Sequence, residues 1–271
     1  MPSGRNSNSI RLFFKTTYLF LINFGFNPLK IIEGFKGLRY YIKDYRAFNR
    51  KMPVKGHFGS MLMYPIFGNR FQKGGILSGH YFHQDLYMAR KIYEARPEHH
   101  LDIGSRTDGF VAHLAVFMEV EVMDIRPLSD LVFNIKYLQA DLSDKSFPMR
   151  EYTGSVSCLH ALEHFGLGRY GDPIDPEGYL TGWNNIYACL RQQGIFYFST
   201  PIGPQRIEFN AHRVFSLRYL LDLMEGKYEI ISFSYVDDIG NLHENVPLTT
   251  EAVLNNLGCH YGCGLFELRK I

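Results

Sequence analysis

Short strand-like and helix-like segments alternate along the chain from His99 to its end. Five strands are predicted by the apolar runs HHLDI, VEVMDI, IKYLQA, GSVSCLH and GIFYFSTP, and two more by YEIISFSYV and GLFELRKI. Helical segments are predicted between them, over 110–118, 177–191, 216–225 and 249–257. Strands joined by helices need right-handed crossovers, which give a mostly parallel sheet covered on both faces. The pattern therefore predicts an α/β, Rossmann-like doubly wound sheet.

Acidic residues and one glycine turn follow the first three predicted strands. The first strand-to-helix turn is DIGSRTDG, in which Gly104 permits a tight turn and the helix start offers unpaired amides to a carboxylate. Asp124 ends the second strand, where an acid can accept both ribose hydroxyls of an adenosine. Asp141 follows the third strand and is a candidate partner for the adenine amino group, with Leu142 flanking the ring. Together these positions predict an adenosine-binding site at the carboxyl ends of the strands.

These segments carry a family resemblance. LDIGSRTDG, VMDIRPL, QADLSD and CLHALEHFG resemble the ordered motifs of class I S-adenosylmethionine-dependent methyltransferases, over roughly residues 98–271. More narrowly, HYFHQDL, HLDIGSRTDGFVAHL and LHALEHFGLGRYGDPIDPEGY resemble a methyltransferase-like family, domain of unknown function 268. The resemblance implies a seven-stranded sheet in the order 3-2-1-4-5-7-6 with strand 7 antiparallel, and S-adenosylmethionine as the cofactor. The residues expected to bind this cofactor are Asp102, Gly104, Ser105, Arg106, Gly109, Asp124, Ile125, Asp141, Leu142 and His160.

The glycine turn departs from the pattern of the superfamily. The usual acid-x-Gly-x-Gly-x-Gly becomes DIGSRTDG, so that Arg106 and Thr107 stand where small residues are usual. This change leaves open a methyltransferase fold that has lost turnover and serves as a binding or scaffold protein. A dinucleotide-dependent dehydrogenase is disfavoured because the full G-x-G-x-x-G is missing.

The segment HALEHF, after the fourth strand, contains the expected catalytic residues His160, Glu163 and His164. By the geometry of the fold this segment faces the donor methyl group. Methyl transfer from a sulfonium depends mainly on positioning, and a hydroxyl or amine acceptor also needs a base such as histidine. The segment resembles the metal-binding E-x-x-E-H of quinone-biosynthesis O-methyltransferases but begins with histidine, so no metal is assigned. The alternative is that Glu163 and His164 only cap and orient the loop.

The mouth of the site is expected to bind the acceptor. The loop GLGRYGDPIDPEGY predicts a rim, while NAHRVFS after the fifth strand and HYFHQDL before the sheet face the same opening. The two Asp-Pro steps also fit simple turn chemistry, and the HYFHQDL helix also fits plain packing on the sheet. The expected substrate-binding residues are Tyr81, Gln84, Arg169, Tyr170 and His212.

A basic amphipathic segment precedes this domain. After Pro28, apolar residues recur at spacings of four and three, which predicts a helix, and its other face has six basic residues against Glu33 and Asp44. A solvated helix packed on the main domain and a peripheral membrane contact through residues 9–51 both fit this pattern. The predicted division is an extension and linker over 1–75 and a methyltransferase-like domain over 76–271.

Composition limits the remaining options. A net charge of +2 and a pI near 8.2 do not favour nucleic acid as a partner. The uncharged run from Thr16 to Leu29 is too short for a bilayer span, which needs about 20 apolar residues. Four cysteines form no dense framework, which favours a reducing, cytoplasmic compartment, and Cys259 to Cys263 has an atypical spacing for zinc. The sequence and its family resemblance thus predict a methyltransferase that acts at oxygen on a small-molecule or glycan-type acceptor.

Overall fold

The computed structural model describes residues 4–52, 61–128 and 131–271, with side chains described from Phe13 onward. The chain divides into two compact units, Met1–Ile76 and Leu77–Ile271. Residues 53–60, which belong to the segment expected to be a linker, lie outside the described residues.

The first unit is built around two helices, α1 (Gly4–Asn23) and α2 (Pro28–Lys51). Asn27 caps α2, since its side chain accepts hydrogen bonds from the amides of Leu29 and Lys30. A Cβ on Gly37 would lie 2.4 Å from the carbonyl oxygen of Phe67, so glycine at this position allows the backbone at Phe67 to pack against α2. Within the described residues no helix is both long enough and apolar enough to cross a membrane.

The second unit contains a mostly parallel sheet. Its strands are β1 (His100–Ile103), β2 (Val120–Asp124), β3 (Ile135–Gln139), β4 (Thr153–Leu159), β5 (Leu190–Ile202), β8 (Tyr228–Val236), β9 (Leu242–His243) and β10 (Gly262–Lys270), while β6 (Arg206–Glu208) and β7 (His212–Val214) form a separate hairpin. The order is β3-β2-β1-β4-β5-β10-β8-β9. Strands β1 to β5 pair in parallel, and β10 is antiparallel to both β5 and β8.

Helices lie on both faces of this sheet. They are α3 (His80–Ala95), α4 (Ala112–Ala115), α5 (Gly178–Cys189), α6 (Leu217–Met224) and α7 (Thr250–Leu254). The apolar side chains of α3 and α4 pack on one face, with Ile92 and Phe110 in that core, and those of α5 and α6 pack on the other, around the buried Trp183. The result is a three-layer α/β/α arrangement, which supports the carboxyl ends of β1, β2 and β4 along one edge.

The sheet confirms the predicted fold class. Apart from the hairpin and β9, the order is 3-2-1-4-5-7-6 with the last strand antiparallel, as the resemblance implied. The edge strand β9 makes the sheet eight-stranded rather than seven-stranded. Helix α1 and the β6–β7 hairpin were not predicted, because each lacks a long periodic apolar run.

Candidate functional site

A cavity that is open to solvent lies beyond the carboxyl ends of the parallel strands, with about 850 Å³ of space between its walls. Its walls come from the turns after β1 to β4, from the first turns of α3 and from the loop that precedes α5. The lining residues are Tyr81, Ile103, Gly104, Ser105, Arg106, Met123, Asp124, Ile125, Arg126, Ala140, Asp141, Leu142, Ser143, His160, Ala161, His164, Phe165, Arg169, Tyr170 and Asp172.

Asp102 holds the turn after β1 in place. Its fully buried carboxylate accepts hydrogen bonds from the Ser105 amide at 3.1 Å, the Ser105 hydroxyl at 2.6 Å and the Ser157 hydroxyl of β4. Burial raises the pKa of Asp102 to about 6, although these hydrogen bonds oppose the change. Asp102 does not line the cavity, and its contacts are those of a residue that positions the turn.

Gly104 is required by this turn. Its φ of +66° lies in the left-handed region, and a Cβ there would approach the side chain of Ala161 to 3.0 Å. The Ser105 hydroxyl also accepts a hydrogen bond from the Leu159 amide at 3.1 Å. The turn after β1 is therefore tied to the end of β4, and Gly104 and Ser105 both face the cavity.

Gly109 serves packing rather than the cavity. A Cβ at this position would lie 2.4 Å from a carboxylate oxygen of Asp85 in α3, and Gly109 does not line the cavity. Arg106 does line it, with its guanidinium 4.9 Å from the Tyr81 ring centroid and paired with Asp108 at 3.1 Å. The arginine that replaces a small residue in the turn thus forms part of the wall.

Asp124 lies at the cavity, but its carboxylate is already paired. Arg126, two residues later, donates from Nε to Oδ1 at 2.9 Å and from a terminal nitrogen to Oδ2 at 2.5 Å. The Arg126 amide donates to the same Oδ1 at 2.8 Å. The guanidinium also lies 4.5 Å from the centroid of the Tyr170 ring. A ligand hydroxyl that reached Asp124 would therefore compete with Arg126, which sequence reasoning did not single out.

The turn after β3 supplies the next part of the wall. Oδ1 of Asp141 accepts hydrogen bonds from the Ser143 amide at 2.7 Å and the Ser143 hydroxyl at 2.6 Å, which fixes the carboxylate beside the cavity. Leu142 is buried, and it lines the same space together with Ile125. An acid and two apolar side chains at this point suit a ring with an amino group.

His160 and Glu163 form a buried pair after β4. Nδ1 of His160 donates to Oε1 of Glu163 at 2.8 Å, and both side chains are almost fully buried. Burial alone would lower the pKa of His160, but attraction to Cys263 and to Glu163 outweighs it and raises that pKa well above its usual value. Burial in turn opposes ionisation of Glu163, yet His160 keeps the pKa of this carboxyl below its usual value. The pair is therefore best described as imidazolium and carboxylate, with His160 at the cavity and Glu163 behind it.

His164 has the properties of a base. Its Nδ1 donates to the carbonyl oxygen of Ala211 at 2.7 Å, which leaves the lone pair on Nε2. Burial lowers the pKa of His164, although Glu163 opposes this, so the ring is neutral near pH 7. His164 lines the cavity, and its Nε2 lies 3.9 Å from Oε1 of Glu163, so this histidine is a candidate for proton transfer there.

The loop between Phe165 and Gly178 forms a rim. Asp172 accepts hydrogen bonds from the amides of Gly168 and Tyr170, both at 3.1 Å, and Gly166 accepts one from the amide of Asp175 at 3.0 Å. A Cβ on Gly166 would lie 1.9 Å from the carbonyl oxygen of Asp175. Tyr170 and Arg169 line the cavity from this loop, as expected for a rim.

The other expected acceptor-binding residues are placed differently. Tyr81 lines the cavity, with its ring centroid 5.2 Å from that of His160. Gln84 is buried and accepts a hydrogen bond from Ser199 at 2.5 Å, so it does not face the cavity. His212 lies outside the lining and approaches Glu208 at 3.6 Å. Arg213, from the same segment, is buried and donates to backbone carbonyls of the rim loop, including that of Phe165 at 2.7 Å.

Comparison with protein families gives one match. The model of the family described as "Caenorhabditis protein of unknown function, DUF268" matches residues 115–262, which is more than half of the chain. None of the curated proteins matches this chain.

Several solved structures are similar in part. A 1,6-didemethyltoxoflavin-N1-methyltransferase of Burkholderia thailandensis, with 1,6-didemethyltoxoflavin and S-adenosylhomocysteine bound, is 17% identical, with 69% of this chain and 78% of that chain covered and a TM-score of 0.48. The N-methyltransferase NodS of Bradyrhizobium japonicum WM9, in complex with S-adenosylhomocysteine, is 13% identical, with 71% and 88% covered and a TM-score of 0.46. The α/β fold of this chain is shown by its own strand order.

Proposed function

This chain belongs to the DUF268 family, and from that premise, together with the cavity, we propose that it is an S-adenosylmethionine-dependent methyltransferase. The cavity lies where a doubly wound sheet binds its ligands. Asp124 would accept the ribose hydroxyls, Asp141 the adenine amino group, and the turn at Gly104 and Ser105 would receive the methionine carboxylate. The observation that carries the proposal is the presence of these three features, after β1, β2 and β3, in one cavity.

The proposed reaction is methylation of oxygen on a small-molecule or glycan-type acceptor. S-adenosylmethionine bound in this cavity would supply the methyl group to the acceptor oxygen, with S-adenosylhomocysteine as the second product. The proton of the acceptor hydroxyl would go to Nε2 of His164, a neutral residue that lines the cavity. His160 is a weaker candidate for the base because its pairing with Glu163 favours the protonated ring.

The acceptor is proposed to enter past the rim. Arg169, Tyr170 and Tyr81 all line the cavity, so two aromatic side chains and a cation are offered to a polar, ring-shaped molecule. Gln84 and His212 are omitted from this role, because neither lines the cavity.

A contact with a membrane surface is proposed for the first unit. Large apolar side chains of α1, α2 and their connection are exposed, including Phe20, Phe24, Phe26 and Phe35. The same segment contains Lys30, Lys36, Arg39, Lys43, Arg46 and Arg50. Exposed aromatic residues next to basic residues suit the interface of an anionic bilayer. Co-sedimentation with phosphatidylserine vesicles, reduced in Phe24→Ser/Phe26→Ser and absent with phosphatidylcholine vesicles, is the expected result.

The proposed activity is tested with the full chain, isotopically labelled donor and a fractionated host extract. Labelled product is expected with the wild type and is expected to fall strongly with His164→Ala. The control is His212→Ala, which changes a neighbouring histidine outside the cavity. Absence of measurable cofactor binding by calorimetry at millimolar concentration would contradict the proposal.

A second candidate is a binding protein without turnover. It is favoured by the pairing of Asp124 with Arg126, because an acid held by its own neighbour is less free for a ribose. Cofactor binding without transfer to any acceptor pool would support this function, and turnover that is lost in His164→Ala would exclude it.

A further inference from the structure

Three residues that are distant in sequence come together around His160, a member of the buried pair after β4. His80 begins α3, His160 follows β4, and Cys263 lies near the start of β10. One nitrogen of each histidine and the cysteine sulfur lie within 4.8 Å of one another. Their separation along the chain explains why no local motif reveals the cluster.

The His160 ring is held with one nitrogen directed into the protein. Nδ1 donates to Glu163, while Nε2 is buried and makes no hydrogen bond within the described part of the chain. A buried ring nitrogen without a partner is costly, since it has lost water and gained nothing. Histidines that bind metals commonly donate their other nitrogen to a carboxylate in the same way, which fixes the tautomer and the ring orientation.

The backbone of His160 supports this arrangement. Its φ of +51° lies in the left-handed region, unusual for a residue with a side chain. The amide of His160 donates to both the carbonyl and the hydroxyl oxygen of Ser199 in β5, each at 3.1 Å, which holds the residue there. Such conformations occur preferentially at functional sites.

His80 and Cys263 complete a compact set of donors. The His80 ring lies between the rings of His160, at 5.4 Å, and Tyr261, at 5.2 Å, and both stacks are close to parallel. Cys263 is fully buried, and its sulfur lies 3.8 Å from an oxygen of Gln84 and 3.8 Å from the carbonyl oxygen of Gly264. Two imidazoles and one sulfur are the ligand types that zinc prefers.

Charge balance also favours a divalent cation. Glu163 is buried, and its Oε2 has no hydrogen-bond partner among the described residues. Metal binding would displace the protons from the Cys263 thiol and from Nε2 of His160. The resulting thiolate and the Glu163 carboxylate would then be neutralised by a single divalent ion in a region of low dielectric constant.

We propose that His80, His160 and Cys263 bind one Zn²⁺ ion, with Glu163 orienting His160. Ligand atoms in a tetrahedral zinc site lie about 3.4–3.6 Å apart, so the side chains, whose ligand atoms lie within 4.8 Å of one another, need to approach by up to about 1.4 Å. Three protein ligands leave a fourth position for water or another molecule, as in catalytic rather than structural zinc sites. This site differs from the local Cys259 to Cys263 spacing considered in the sequence, because Cys259 is not part of the cluster. The proposal concerns metal binding and does not depend on methyl transfer.

The test uses the full chain, stripped of metal with a chelator and titrated with Co²⁺ as a spectroscopic probe. One equivalent is expected to give visible ligand-field bands and a near-ultraviolet thiolate-to-cobalt band, both removed by one equivalent of Zn²⁺. Cys263→Ser is expected to lose the thiolate band, whereas the matched control Cys259→Ser, at another buried cysteine, is expected to retain it. Glu163→Gln is expected to weaken binding about 10- to 100-fold while the thiolate band remains.

Circular dichroism of each variant distinguishes loss of the site from loss of the fold. A folded wild-type chain that binds no stoichiometric Co²⁺ or Zn²⁺ would overturn the proposal. A thiolate band that persists in folded Cys263→Ser, or that disappears in folded Cys259→Ser, would overturn it as well. If cofactor binding fails while cobalt binds as expected, the proposed methyltransferase function fails and the metal site stands.

Discussion

The pairing of Asp124 with Arg126 leads to opposite effects of two neighbouring substitutions on cofactor affinity. The Asp124 side chain is 13% exposed and lies at the cavity, whereas that of Arg126 is 51% exposed. A cofactor ribose that binds Asp124 must take the place of the guanidinium. Asp124→Ala removes the acceptor of both ribose hydroxyls, and Arg126→Ala removes the competitor.

The magnitudes follow from the two environments. A hydrogen bond to a charged group contributes about 1.5–3 kcal/mol, so loss of two costs at least about 3 kcal/mol, or roughly a 150-fold increase in Kd. The Asp124–Arg126 ion pair is worth about 0–1 kcal/mol, because the guanidinium is half exposed to water. Arg126→Ala is therefore expected to lower Kd by up to about fivefold.

Isothermal titration calorimetry with S-adenosylmethionine and S-adenosylhomocysteine measures both effects. The double variant completes a cycle, in which Arg126→Ala is expected to have no effect once Asp124 is absent. A Kd of Asp124→Ala within threefold of the wild-type value would exclude Asp124 as the partner of the ribose. Weaker binding by Arg126→Ala would exclude the competition, because Arg126 would then contact the cofactor.

Three other substitutions test the surroundings of the cavity. The pKa of Asp102 is about 6 in the folded chain and 3.8 in the unfolded chain, so the free energy of unfolding should fall by about 3 kcal/mol as the pH rises through this window. Asp102→Asn should remove this dependence, which urea unfolding between pH 4 and 7 measures. His164→Ala should lower kcat about 10²- to 10⁴-fold, and unchanged turnover would exclude His164 as the base. In a pH–rate profile, the wild-type rate should fall only at acid pH, below the usual histidine pKa, because burial lowers the pKa of His164 while Glu163 opposes this. Gly109→Ala should lower the free energy of unfolding by about 1 kcal/mol, because the new methyl group lies 2.4 Å from a carboxylate oxygen of Asp85, which has to move. Asp85→Ala in the same chain should recover most of this loss, and no recovery in a thermal melt would contradict this cause.

The sheet could be predicted from the sequence because the same pattern, a short apolar run, recurs at each strand. Each strand is an apolar run, and the crossover rule turns their succession into a mostly parallel order without any knowledge of tertiary contacts. The acids at 124 and 141 could be placed at the cavity for the same reason, since strand ends meet at one edge. The short hairpin over 206–214 has three-residue strands, which leave too little periodicity to detect.

The partners of the site residues could not be predicted in the same way. That Arg126 folds back on Asp124 depends on the conformation of one turn, and the direction of the Gln84 side chain depends on how α3 rotates over the sheet. The approach of His80 to Cys263 joins the two ends of the second unit. Such contacts are set by packing, which a pattern along one chain does not record.

The rim loop before α5 has a consequence for how molecules reach the cavity. Asp172 accepts hydrogen bonds from two amides of the loop, and Arg213 donates to the carbonyl oxygen of Phe165. Gly166 lies so close to the carbonyl oxygen of Asp175 that a side chain would not fit there. A loop held by so many contacts is expected to have the same conformation before and after a ligand binds. If the acceptor enters past this loop as proposed, we expect selection by the size and shape of a preformed opening and entry without closure of the loop.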